Sequence, residues 1–154
     1  MRVWRLTRPD YAPGLDGLGA RKEGGRWNSP GRPAVYCGGS LALSCLEVFV
    51  HLPPSMRTTE KLPALTAVEL DLPDELPRSE AAWADIPKNP EIADFRAIGD
   101  LWLAERKTAI LSVPSLIIEA ERNYILNPEH PDMDRIEILS QQPFRFDGRM
   151  ASGR

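Results

Sequence analysis

Cysteine and histidine are scarce in this chain, with two of each in 154 residues. Cys37 and Cys45 are too few for a disulfide framework or a four-thiolate metal site, and both read as core fillers. His51 and His130 stand outside any CxxC or HExxH frame, so no metal is expected. An excess of one charge is lacking too: 19 basic against 22 acidic side chains leave a formal net charge of -3. Nothing global draws such a chain to a phosphate backbone or an anionic membrane. No apolar run approaches the ~20 residues of a membrane span. The opening Met1-Arg2-Val3-Trp4-Arg5 has no signal-peptide core, which predicts a cytoplasmic protein.

What is present suits a folded domain. Apolar residues make up 42% and charged residues 27%, with both signs represented, so a core can be buried. The length favours one domain, because independent cores usually need ~100 residues each. Short strands are expected at Arg2 to Leu6, Ala34 to Cys37, Leu65 to Asp71, Ala109 to Val113, Ile136 to Leu139 and Phe144 to Phe146. Asp10 to Gly25, with five glycines from Gly14 onward, reads as a loop, and Pro73 to Pro90 as an irregular surface excursion.

Two helices stand out. Ser40 is a good N-cap for one whose apolar surface is supplied by Leu43, Leu46, Val48, Phe49 and Val50, and which Pro53 and Pro54 stop. Asn89 as cap and Pro90 at the first helical position signal the other, with Ile92, Phe95, Ile98, Leu101 and Trp102 spaced for one buried stripe and an end near Lys107. Strands scattered among two helices, without regular alternation, predict an α+β fold.

Three segments carry chemistry. In Gly24-Gly25-Arg26-Trp27-Asn28 the glycines permit close approach of a ligand, and the Arg26 guanidinium suits two phosphate oxygens at once. The same residues also describe an ordinary turn with a surface arginine. The spacing is neither GxGxxG nor a P-loop. Glu47 is the one carboxylate in the apolar Ser40 helix; it lies either at the border of the buried face, in a cleft, or on the wet side. Around Val113-Pro114-Ser115 and Asn123 to Pro131, polar groups gather and prolines stiffen the backbone, which describes a rigid loop. No general base stands at readable spacing from Ser115, so a serine-hydrolase triad is unsupported.

Taken together, Gly24-Gly25-Arg26-Trp27-Asn28, Val35-Tyr36, Ser40-Leu41-Ala42, Leu46-Glu47, Val113-Pro114-Ser115 and Asn123-Tyr124-Ile125-Leu126-Asn127-Pro128 resemble the RES-domain family. The similarity runs in order from the start of the chain to about Phe146. It implies a RES domain over residues 1–147 with a flexible tail over 148–154. The fold it implies is compact, with small mixed or antiparallel sheets and flanking helices, similar to ADP-ribosyltransferase toxins.

The resemblance further implies the toxin of a bacterial type II toxin–antitoxin pair that cleaves the nicotinamide–ribose bond of NAD⁺. Arg26, Glu47 and Ser115 match the positions that name the family, and Tyr36 matches an aromatic position beside nicotinamide. Arg26, Asn28, Tyr36, Ser40, Ser115 and Asn127 form the implied nucleotide-contacting set. The implied partner is an Xre-type antitoxin, and the acceptor of ADP-ribose is water, phosphate or a protein side chain. Two rival readings use the same residues. A non-catalytic nucleotide-binding module would keep Arg26 and Tyr36 for affinity alone. A nucleic-acid binder would use Arg21, Lys22, Arg26 and Arg32 around Trp27, a small footprint on an acidic chain.

Overall fold

In the computed structural model, which describes residues 1–151, Arg2–Thr7 (β1) buries Val3 on one face and Leu6 on the other, and this strand sits inside a sheet. It pairs antiparallel with Val35–Gly38 (β2) on one side and with Leu65–Asp71 (β3) on the other, from Arg2↔Asp71 to Thr7↔Thr66. Arg78–Glu80 (β4), Ile110–Pro114 (β5), Arg122–Leu126 (β6) and Glu137–Phe144 (β7) complete seven strands in the order β4-β5-β6-β2-β1-β3-β7. Among the described residues only the β4–β5 pair is parallel. The α+β expectation holds, with the strands joined in a single mixed sheet.

The two-residue period of a strand sorts the core into two faces. Val3, Val35, Val68, Ile110 and Leu126 point to one face, which the segments around Ala12, Leu72, Leu76 and Ile136 cover. The opposite face carries Leu6 and Ala67, where Leu41–His51 (α2) packs, and Leu111, Val113 and Ile125, where Ile92–Glu105 (α3) packs. Among the described residues no helix is long and apolar enough to cross a membrane.

Several segments differ from the expectations. The glycine-rich stretch before Gly25 contains a short helix, Leu18–Glu23 (α1), between Gly17 at φ 68° and Gly24 at φ 72°. Those glycines mark its ends, where a left-handed backbone is needed. Within Pro73 to Pro90, β4 pairs with β5 and Trp83–Asp85 forms a 3-10 turn. The helix expected from Asn89 begins at Ile92, because the Asp94 carboxylate accepts the Glu91 N–H at 2.8 Å and starts the first turn there. Of its expected buried stripe, Ile92 and Leu101 are exposed, and Gly99 and Leu103 are buried beside Phe95 and Trp102 instead.

The segment read as a rigid loop from Asn123 is strand β6 up to Leu126, held between β2 and β5. The stiff turn begins only at Asn127, whose Oδ1 accepts the Glu129 N–H. The two short strands expected between Ile136 and Phe146 are one edge strand, β7, which tolerates Pro143 because an edge leaves one side of the ladder unpaired. Gly148–Met150 form a 3-10 turn capped by Asp147, and residues 152–154 of the expected tail lie outside the described ones.

Candidate active site

The β2-to-α2 junction sets the first half of the site. Ser40 adopts an extended backbone, and its Oγ accepts the Leu43 N–H at 3.0 Å, which starts α2. One turn on, Ser44 Oγ donates to the Trp4 carbonyl at 2.8 Å and accepts the Gly38 N–H at 3.2 Å, which pins the helix to the sheet. Gly38 has no room for a Cβ beneath Ser44. Glu47 lies three residues after Ser44, on the same side of α2, and is brought over the sheet.

Its carboxylate meets two donors. Ser115 Oγ donates to Glu47 Oε1 at 2.8 Å, and Asn123 Nδ2 donates to the same oxygen at 2.6 Å. Val113, Asn123 and Tyr36 share this sheet face by strand period, and Ser115 continues it just past the end of β5, where its N–H donates to the Glu121 carbonyl at 3.0 Å. Ser115 is fully buried, and its Oγ also accepts the N–H groups of Ile117 and Ile118. Its only hydroxyl hydrogen is thus committed to Glu47.

The second half of the site is the turn from Gly24 to Asn28. Tyr36 OH accepts the Trp27 N–H at 3.0 Å and donates to Asn28 Oδ1 at 2.6 Å. Asn28, fully buried, spends its Nδ2 on the Ala20 and Arg32 carbonyls. Helix α3 grips the same turn: Arg96 Nε donates to the Gly25 carbonyl, and Asp100 accepts from Ser29 N and Oγ. Trp27 packs edge-on against Phe95 with centroids 5.2 Å apart. The Arg26 guanidinium lies 5.1 Å from the Phe95 centroid and makes no ion pair among the described residues. Burial pushes the Tyr36 phenol above its ordinary range, so the hydroxyl stays a neutral donor to Asn28.

Between the halves lies a cavity of about 410 Å³, with Arg26, Tyr36, Glu47, His51 and Asn123 in its wall. That volume falls in the range of small-molecule sites. The structure therefore brings Arg26, Tyr36 and Glu47 to one cavity, with Ser115 behind the carboxylate. Ser40 caps α2 and Asn28 braces the arginine turn, both from outside the lining, whereas buried Asn127 donates to the Leu103 carbonyl and closes its own turn, with none of its hydrogen-bond partners in the cavity wall.

Two wall residues were not singled out from the sequence. Asn123 lies within a motif already noted, but its role needed the β5–β6 register. His51 follows Glu47 by four residues, one helical turn, and its Nδ1 lies 2.6 Å from the Glu47 carbonyl oxygen. Among the described residues, no three His, Cys, Asp or Glu side chains gather as metal ligands.

Chemically, a guanidinium without an acidic partner offers a seat for a phosphate group, an aromatic wall suits a flat ring, and a held carboxylate faces any cationic centre between them.

Comparison with known proteins agrees with this architecture. Residues 2–147 match the model of the RES domain family. The chain is 35% identical over 159 aligned residues to the Prs ADP-ribosylating toxin of Sphingobium sp. (strain YBL2), covering 96% of this chain and 94% of that protein. It is 34% identical to Toxin Res of Pseudomonas putida, covering 97% and 99%. Among solved structures, the M. tuberculosis MbcT–MbcA toxin–antitoxin complex contains a chain similar in fold, with a TM-score of 0.71 and 19% identity over 93% of this chain and 83% of that one.

Proposed function

The chain belongs to the RES domain family, and on that premise we propose that it is the toxin of a bacterial toxin–antitoxin pair that breaks the nicotinamide–ribose bond of NAD⁺. The observation that carries this reading is the placement of Arg26 and Glu47 in the wall of one cavity, with the Glu47 carboxylate held by Ser115 and Asn123. The name of the Sphingobium relative, an ADP-ribosylating toxin, supports NAD⁺ as the substrate.

On this reading Arg26 anchors the pyrophosphate through paired hydrogen bonds, and the Tyr36 ring flanks nicotinamide. NAD⁺ carries its leaving group as a cationic pyridinium, so nicotinamide departs neutral and needs no general acid. One carboxylate therefore suffices, where ordinary glycoside hydrolysis uses two. As the bond lengthens, positive charge grows on the ribose, and Glu47, fixed before the reaction, stabilises it without reorganising. Ser115 acts through Glu47, because its hydroxyl hydrogen is already given to the carboxylate.

The acceptor of ADP-ribose is water, phosphate or a protein side chain, and the Sphingobium relative's name supports the last. The toxin acts in the cytoplasm, where its substrate lies, and an Xre-type antitoxin restrains it. That the fold neighbour was solved as a toxin–antitoxin complex supports such a partner.

Purified protein incubated with NAD⁺, with and without phosphate and cell extract, should release nicotinamide, and labelled adenylate identifies the acceptor. Arg26→Ala and Glu47→Ala should each lower release by about 10²-fold to 10³-fold or more, the usual effect of losing a preorganised electrostatic group. A fully active Glu47→Ala protein refutes the assignment, and salt-sensitive nucleic-acid binding with NAD⁺ left intact refutes the activity.

A further inference from the structure

Both donors to Glu47 converge on the same oxygen, Oε1. Its Oε2 makes no hydrogen bond, yet the only buried side-chain N or O atoms without a partner among the described residues are Arg78 Nε and Asn123 Oδ1. Oε2 is therefore not buried, on a side chain that lines the cavity. One carboxylate oxygen is clamped to the protein and the other is offered to whatever enters.

The unpartnered Asn123 Oδ1 identifies what holds that arrangement. A buried carbonyl without a donor is unfavourable, and proteins rarely leave one. Turning the amide over would give Oδ1 a new environment, but it would set that oxygen against the Glu47 carboxylate and remove the Nδ2 donor. The fold accepts an orphan acceptor to keep an N–H on the carboxylate. Asn123 sits in the middle of the sheet, paired with Gly38 on β2 and Val113 on β5, so its backbone has little freedom to relieve the orphan. An apolar side chain of the same shape would satisfy this position better if packing alone governed it.

We propose that Asn123 is a positioning residue for the reaction: together with Ser115 it clamps Glu47 Oε1 and so orients Oε2 toward the ribose carbon of the bound dinucleotide. This rests on the reading of the cavity as an NAD⁺-cleaving site. Asn123 acts only through Glu47 and stabilises catalysis, not the fold.

The test is Asn123→Leu, which keeps the approximate shape while deleting both the donor and the orphan carbonyl, compared with wild type for nicotinamide release and thermal melting. The expected result is a kcat lower by about 10²-fold, the scale for a misaligned catalytic group, with KM within about threefold and a melting temperature close to that of wild type, because removing the unsatisfied acceptor offsets the lost hydrogen bond to the carboxylate. Asn123→Asp, which keeps the shape and substitutes an acceptor for the donor, should fall at least as far. A wild type that consumes NAD⁺ beside an Asn123→Leu protein of unchanged kcat overturns the role of Asn123 alone. So does a loss of activity accompanied by a melting temperature several degrees lower, which marks a packing role. A wild type that leaves NAD⁺ intact overturns the functional reading and this role with it.

Discussion

Gly99→Ala is the sharpest test of how the fold carries the site. Gly99 lies on the buried face of α3, directly beneath the turn that bears Arg26. A Cβ added there would overlap the Trp27 carbonyl oxygen and lie 2.7 Å from its carbonyl carbon and 3.0 Å from its Cβ. Ordinary contacts between such atoms are ~3.5 Å or longer, so helix and turn must part by more than about 1 Å. The obstacle is mostly backbone, which has no rotamer to yield. At an unobstructed helix interior, Gly→Ala stabilises by about 1 kcal/mol. Overpacking of this kind costs about 3 kcal/mol at the upper end of its usual range. The balance is a destabilisation of about 2 kcal/mol, or a melting temperature lower by roughly 4–8 °C for a chain of this size. Arg26 adjoins Trp27, and a shift of about 1 Å at a substrate-anchoring group lowers turnover by about 10²-fold. Circular dichroism melting and nicotinamide release measured on one preparation check both halves. A Gly99→Ala protein that melts at or above the wild-type temperature with full activity refutes the reasoning, because the helix-propensity term would then have won over the clash.

Further outcomes follow from the same geometry. Ser115→Ala should remove one donor from Glu47 and strand the buried N–H groups of Ile117 and Ile118, costing about 1–3 kcal/mol of stability. Turnover should fall by about 10-fold to 10²-fold; unaltered kcat would separate Ser115 from the carboxylate. Burial pushes the Cys37 thiol from its ordinary 9.0 up to about 12, so its contribution is complete below 9.0. It is lost as pH rises toward about 12, because the unfolded chain releases the proton first. Urea midpoints measured across that window should decline, and Cys37→Ala should flatten the decline; an identical slope in the variant assigns it to other groups, the neighbouring Tyr36 phenol among them.

Much of the molecule was legible because local chemistry governs it. Ser40 followed by an apolar run and two prolines specifies a capped helix and its end in any surroundings, and the apolar strands at β1, β3 and β5 follow from composition and period. The glycine-rich turn with Arg26 and the lone Glu47 in an apolar helix stood out as local oddities. Segments whose structure depends on distant partners were misread. β6 carries Arg122 and Asn123 at its start and becomes a strand only because β2 and β5 flank it. α1 has 6 residues, fewer than two turns and below the length at which a helix persists alone, and needs its packing to exist.

The amino-acid order by itself determined which residue types are on hand: one arginine beside two glycines, one acid in a greasy helix, a serine after a strand. Tertiary structure decided what each touches. Sheet register set Asn123 beside Ser115, and both against an oxygen of Glu47 far away in the chain. The same packing turned Ser115 from a free hydroxyl into a committed donor. Hydrogen bonds reach about 3 Å, while the residues they join here are 68 and 76 positions apart, so no local pattern encodes them and only the folded sheet brings them together.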